Sequence, residues 1–454
     1  MTSELVQPRL ISGFQDTDPK DMILKRFILG QVIGIFESFG FEPFESAIVQ
    51  LDSVLFGVDE YSDMDFFRVH NTREGDGEDK QRRSLRFDLT VPLARYVAEK
   101  ADILPRPFKR WQIGPAFRGE KAAPGRFCQF DQCDVDTMFS TSMAADAEIL
   151  AIMYQCMTAL LGDHAFTIRV NNRKLTNGFP SHFGYDPELN PRVLQAIDSA
   201  GKIGWDKVRE ILVGEELKKN QLGIKGPVAD ALLSFIQMSG TQDEQLAAFA
   251  SEFADCADVV AGVEELRTLF TLAENMGVKA SFVKFDATMV RGLGYYTGPV
   301  FETSVDECAS LGSVFSGGRF DNLTGRFTNI KAPGTGASLG IDRFLEVARQ
   351  LGLFDLKPTV VQCMVAVLGD QNAAYAQAVA AYLRRKHVNT MVYTGEDTGM
   401  RSQLKRALSA DIPWVIIIGD DENREQMVLL KNLADRQQQT MRVGEAVKAI
   451  QMTS

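Results

Sequence analysis

The stretch "FKRWQIGPAFRGEKAAPGRFCQFDQCDVDTMF" (108–139) decides how the chain is read. It is two strand-like runs, 108–120 and 126–139, around the short loop "KAAPG". In a strand, alternate side chains share a face. Arg126, Cys128, Phe130, Gln132, Asp134 and Asp136 therefore line one face of the second run. Arginine, phenylalanine, glutamine and two aspartates make a poor core and a plausible binding floor. Arg118 and Glu120 end the opposing run and face the same loop.

Working outward, a helical stripe at about 20–39 stops at Gly40. "FEPFES" reads as strand, 66–90 as a hairpin with a polar tip, and a helix begins near Pro92. A helix is expected at about 143–161. Residues 185–275 are rich in Lys, Glu, Ala and Leu and read as a helical insertion. Strand signals return at 280–304, 312–321 and 335–341. "FDLKP" (354–358) reads as a linker, followed by alternating strands and helices in a compact α/β unit.

A chain of 454 residues implies two or three domains. With 45% hydrophobic and 24% charged residues it has a globular composition. No run of eighteen apolar residues is present, so no membrane span is expected, and the N-terminus lacks the pattern of a signal peptide. Six scattered cysteines with no C-x-x-C pair fit reduced thiols in a cytoplasm. The net charge of −11 excludes a general nucleic-acid coat. From Lys357 onward the charges nearly balance, 12 Lys+Arg against 10 Asp+Glu, so any nucleic-acid contact must be local and shaped.

"MVRGLGYYTGPVFE" (289–302) interrupts a strand-like run with three glycines, a mark of close approach by a ligand or another backbone. Taken with it, the blocks acquire a collective meaning. "FRGEKAAPGRFCQFDQCDVD" resembles motif 2 of class II aminoacyl-tRNA synthetases in its histidyl form, and "MVRGLGYYTGPVFE" the histidyl signature peptide. "GASLGIDRF" (336–344) resembles class II motif 3, and "LRFDLTVPLARY" (85–96) and "FSGGRFDNLTG" (315–325) match histidyl-family blocks in order. The "RFDLT" and "QCD" wording is similar to the eukaryote-like branch of that family.

The resemblance implies an α+β fold. A class II antiparallel-sheet catalytic domain would occupy 1–184 and 276–353, with the helical insertion at 185–275 and an α/β anticodon-binding domain at 354–454. It implies activation of L-histidine by ATP with Mg²⁺, transfer to tRNA-His, and a homodimer. Residue by residue, it sets Arg118 at the α-phosphate, Arg291 at the α-phosphate and carboxylate, Arg343 at the far phosphate and Arg126 at the phosphates. Glu120 and Phe130 would recognise adenine. Asp88, Thr90 and Gln132 would take the histidine ammonium, Asp136 the imidazole, and Tyr295 and Tyr296 would line the pocket.

The pattern has departures: Ala47 where motif 1 carries proline, Gly294 where aspartate is usual, Phe320 for tyrosine and Asp342 for glutamate. Two non-catalytic alternatives belong to the same family, a regulatory subunit of ATP phosphoribosyltransferase and a tRNA-sensing domain. The C-terminal unit and the three arginines 118, 291 and 343 speak for the ligase.

Overall fold

The computed structural model describes residues 5–56, 65–70, 82–119, 121, 123, 125–214, 221–290 and 295–452. They form two compact units: 16–27 with 354–454, and the remainder up to 353.

The larger unit is built on an eight-stranded sheet. Its strands are β1 (Glu42–Pro43), β4 (Phe108–Phe117), β5 (Gln129–Met138), β6 (Phe166–Asn172), β7 (Val283–Phe285), β8 (Pro299–Val305), β9 (Phe315–Phe320) and β10 (Gly334–Gly340). The order is β1-β4-β5-β10-β9-β8-β6-β7, antiparallel except for the outermost pairs β1–β4 and β6–β7. A separate ribbon pairs β2 (Val49–Leu51) with β3 (Arg83–Leu85). Of the expected 66–90 hairpin, residues 71–81 lie outside the described ones. Its flanks do run antiparallel, with Val69 N–H donating to Arg83 O at 2.9 Å and Leu85 N–H to Phe67 O at 2.8 Å. "FEPFES" contributes only the two-residue β1, because Pro43 has no N–H to extend a ladder.

Five helices are named here, the first of them divided between the two units. Helix α1 (Pro19–Ser38) ends before Gly40, whose φ of +79° a side chain would resist. α2 (Thr90–Glu99) buries Val91, Leu93, Ala94 and Val97. α3 (Met143–Leu161) starts at Ser142, whose hydroxyl accepts from Ala144 N–H at 3.2 Å. It is apolar and long enough to cross a membrane by length alone, yet most of its residues are buried within the protein, as in a core helix. α4 (Ala257–Asn275) closes a helical stretch, since the chain leaves the sheet after Asn172 and rejoins it at Val283. α5 (Ile341–Leu351) follows β10 directly, with Gly340 as its cap. One apolar cluster ties α2 to the sheet through Phe87, Val91, Leu93, Phe108, Met138, Tyr295 and Phe320.

In the second unit, β11 (Cys363–Val367), β12 (Thr390–Val392), β13 (Trp414–Ile418), β14 (Val428–Asn432) and β15 (Gln438–Met441) take the order β12-β11-β13-β14-β15. The first three are parallel and the last two antiparallel. Apolar clusters cover both faces, as a parallel sheet requires.

Candidate active site

β5 lies between β4 and β10, and the registers bring three chain segments to one floor. Asp136 stands opposite Arg110 on β4 and Gly336 on β10; Asp134 stands opposite Gln112 and Ser338; Gln132 stands opposite Gly114 and Gly340. A Cβ at Gly336 would lie 2.1 Å from Asp136 Oδ1 and 2.6 Å from Val135 O, so the carboxylate fits only because that residue is glycine. Asp88 joins the floor from just before α2. Its Oδ1 accepts from Val91 N–H at 3.1 Å, holding the first turn of the helix. Thr90, the first residue of α2, is buried beside it in sequence.

Asp88, Asp134 and Asp136 are at most 2% exposed. Their burial favours the protonated form, and it is opposed only in part by nearby arginines. Burial pushes Asp136 up to about 7 against the pull of Arg110, with Asp134 and Asp88 adding like-charge repulsion. Asp88 rises to about 6, again through burial, against its bond from Val91 and the charge of Arg118. Asp134 is raised by the same cause. Arg110 Nη2 sits 2.7 Å from Asp136 Oδ2 as an ion pair, though without hydrogen-bond alignment. Among the described residues, Asp88 Oδ2, Gln132 Oε1, Asp134 Oδ1 and Asp136 Oδ2 are buried acceptors with no hydrogen-bond partner. Asp136 Oδ2 already faces the Arg110 cation, and Asp88 Oδ2, Gln132 Oε1 and Asp134 Oδ1 are left as acceptors suited to a compact ligand rich in N–H donors.

Tyr296 forms a wall of this floor. Its ring lies over Gly318, where a Cβ would come within 2.9 Å of Cδ1. Loss of solvent raises its phenol well above the usual value, and the charges of Asp136, Asp134 and Asp88 raise it further. Tyr295 meets Tyr296 edge-on at 5.0 Å and Phe320 at 6.0 Å. Phe320, where the family pattern has tyrosine, is buried in the apolar cluster around α2.

The motif 2 cations lie nearby. Arg118 Nε donates to Phe87 O at 3.1 Å, and its guanidinium carbon is 5.1 Å from the Phe130 ring centroid. The two side chains expected to hold phosphate and adenine are thus stacked on each other. Arg126 and Ala123 exchange backbone hydrogen bonds and close the loop between the strands. Arg343, in the first turn of α5, donates through Nη1 to Ser313 O. Gly125 packs against Arg343, with room for a Cβ at 3.4 Å from Cα, so the motif 2 loop meets the start of the motif 3 helix. The same helix is tied to β5 by Asp131 N–H donating to Asp342 Oδ2 at 2.7 Å. Glu120 and Arg291 lie outside the described residues.

Three residues escape a reading of local pattern. Arg110, Arg86 and Arg319 are all at most 3% exposed. Arg86 donates to Pro115 O at 2.8 Å and Ser46 O at 2.7 Å, in space left by Gly114. A signal for Arg110 exists in the hairpin itself, because pairing the strands around "KAAPG" sets it opposite Asp136.

This sheet, with an acidic floor on its central strands and a motif 3 helix leading directly out of central strand β10, is the catalytic fold of a class II aminoacyl-tRNA synthetase. A crystal structure of histidyl-tRNA synthetase from Nostoc sp. PCC 7120 matches 99% of this chain and 100% of its own, with a TM-score of 0.83 at 29% identity. The family model described as histidyl-tRNA synthetase matches residues 13–344, and one described as an anticodon binding domain matches 362–453. The chain belongs to the histidyl-tRNA synthetase family. A relative from Wolinella succinogenes named histidine–tRNA ligase is 37% identical over 94% of each chain. One of the same name from Clostridium tetani is 36% identical over 99% of each. These relatives are bacterial, and they give no support to the eukaryote-like branch suggested by "RFDLT" and "QCD".

Proposed function

We propose that this protein is a histidine–tRNA ligase, joining L-histidine to the 3′ end of tRNA-His at the expense of ATP. The observation that carries the reading is the set of buried acceptors on Asp88, Gln132 and Asp134 without hydrogen-bond partners, beside the Arg110-paired carboxylate of Asp136. Histidine brings an ammonium group and a ring N–H, and a floor of acceptors rejects side chains that lack the ring donor, because an unanswered buried carboxylate is costly.

In this reading Asp88, Thr90 and Gln132 take the ammonium, Asp136 the imidazole N–H, and Tyr295 and Tyr296 enclose the ring. A histidine carboxylate oxygen attacks the α-phosphorus of ATP, and the bond to pyrophosphate breaks. Negative charge builds on the phosphate oxygens, where Arg118 and Arg291 act; Arg126 and Arg343 hold the outer phosphates. Arg118 would leave its stacked position on Phe130, freeing that ring for adenine, with Glu120 accepting from the adenine amino group. In the second step the tRNA ribose hydroxyl attacks the adenylate carbonyl and AMP leaves. Mg²⁺, expected from the ATP chemistry, would neutralise charge at the phosphates.

Residues 1–184 and 276–353 would be the catalytic domain, 185–275 its insertion and 354–454 the anticodon-binding domain. A homodimer is supported by β2 and the residue before it, which leave Ile48, Val49 and Leu51 exposed at a two-stranded ribbon. The free state of all six cysteines accords with work in the cytoplasm.

The test is ATP–pyrophosphate exchange with each of the twenty amino acids. Exchange should require histidine, and Arg291→Ala should lower it by roughly 10²–10³, the cost of one preorganised donor. Histidine binding without exchange would favour the regulatory alternative.

A further inference from the structure

Tyr295 and Tyr296 stand just before Thr297 and Gly298, and those two residues are held from three directions. Thr297 N–H donates to Arg319 O at 2.8 Å, so the segment continues the β8 side of the sheet along β9. The Thr297 hydroxyl donates to Asp321 Oδ2 at 2.8 Å and accepts from Asp321 N–H at 3.0 Å. Gly298 O accepts from Arg173 N–H at 2.9 Å.

Behind Asp321 is an anchored cation. Asp321 Oδ1 accepts from Arg319 Nη1 at 3.2 Å. Arg319 is 3% exposed and is itself fixed by Asp146 on α3, by Ser140 O at 2.8 Å and by Ser142 O at 3.2 Å. Asp146 is fully buried. Gly298 approaches closely enough that a Cβ there would lie 2.9 Å from Arg319 Cδ. The guanidinium is thus a rigid post set in the core, with one carboxylate reaching from it to one hydroxyl.

We propose that Thr297 and Asp321 are positioning residues for histidine selection: the Asp146–Arg319–Asp321–Thr297 chain holds the backbone that carries Tyr296, and so sets that ring against Gly318 and the acidic floor. The physical basis is continuity. Tyr296 is covalently next to Thr297, and its ring has contact on the Gly318 side only if the backbone stays on β9. Releasing the Thr297 hydroxyl leaves the fold of the sheet intact, since the ladder bonds remain, but loosens the wall. This inference rests on the reading of Tyr296 as part of the histidine pocket.

The test uses the full-length enzyme in ATP–pyrophosphate exchange, with KM measured separately for histidine and ATP. Thr297→Val keeps the shape and removes the hydroxyl; Thr297→Ser keeps the hydroxyl. Thr297→Val should raise the histidine KM by about three- to tenfold, the worth of one hydrogen bond, with the ATP KM changed less than about twofold. Thr297→Ser should restore the histidine KM. An unchanged histidine KM in Thr297→Val, an equal change in both constants, or a change confined to the active fraction would overturn the proposal. Should Thr297→Val not fold, Asp321→Ala is read by the same split. Tyr296→Ala is measured in parallel. If it raises the histidine KM and Thr297→Val does not, the positioning role alone falls. If Tyr296→Ala leaves the histidine KM unchanged, the pocket reading falls and the proposal with it.

Discussion

Asp136 and Gly336 form a single unit, an acid and the space it needs. Gly336→Ala would press a methyl onto a carboxylate oxygen and a backbone carbonyl, and the backbone cannot move aside without disturbing two strand pairings. Overpacking of this kind costs about 1–3 kcal/mol. The expected result is a lower unfolding midpoint together with a histidine KM at least about tenfold higher; a variant with unchanged KM would refute the cradle. The same acids give a pH dependence. In the ligand-free protein, burial raises Asp136 to about 7 and Asp88 to about 6, above their unfolded values. An acid raised on folding stabilises the protein below its unfolded pKa, and that contribution is lost as pH rises through the folded value. The ligand-free enzyme therefore gives up stability from these two groups as pH rises from about 4, the loss ending near 6 for Asp88 and near 7 for Asp136. Bound histidine supplies the missing donors to the ionised form. The rise in Tm at saturating histidine should grow between pH 5.5 and 7.5; a shift that stays flat or shrinks would contradict this account.

Among elements, the loop between the motif 2 strands has the most specific consequence. The family resemblance implies that this loop reaches the acceptor end of the tRNA, where many members would use long polar side chains to recognise an extra guanosine at the 5′ end of tRNA-His. Here the loop is "KAAPG", with side chains that, apart from Lys121, offer no hydrogen bond. The reciprocal Ala123–Arg126 backbone bonds also occupy main-chain groups that could otherwise meet a base. Lysine suits phosphate better than a base edge. Removing the 5′ guanosine from a tRNA-His transcript should thus lower kcat/KM by less than about tenfold. A direct base contact is worth about 1–3 kcal/mol, so a loss of a hundredfold or more would show the base is read.

For the whole molecule, the division into two units sets the outcome of truncation. Ending the chain at Leu356 removes the near-neutral α/β unit and leaves the acidic body. Residues 16–27 cluster with the removed part, so the cut also takes partners from the first turns of α1. Histidine-dependent exchange should remain within about threefold, because every described floor residue belongs to the larger unit, while charging of tRNA falls by orders of magnitude. The unfolding midpoint should fall modestly. Equal loss of both activities would make the second unit part of the catalytic core.

Local pattern reaches far in this protein, because strand faces and helix stripes depend on neighbours in the chain. The two motif 2 strands, the helices near 20–39 and 143–161, and the shared face of Gln132, Asp134 and Asp136 are legible from residue order alone. Other features depend on which strands become neighbours. The sheet order β5-β10-β9 carries Gly336 to Asp136 and Gly318 beneath Tyr296. Asp88 arrives from a segment outside the sheet, and only then do three acids share one low-dielectric space that raises them all. Asp146, Arg319 and Thr297 likewise meet across more than 150 residues of chain. The first residues of α1 group with the C-terminal unit, which the helical spacing of their apolar residues does not reveal. A periodic sequence states which side of an element is buried; what it is buried against, and therefore each charge's environment, is decided by packing between distant segments.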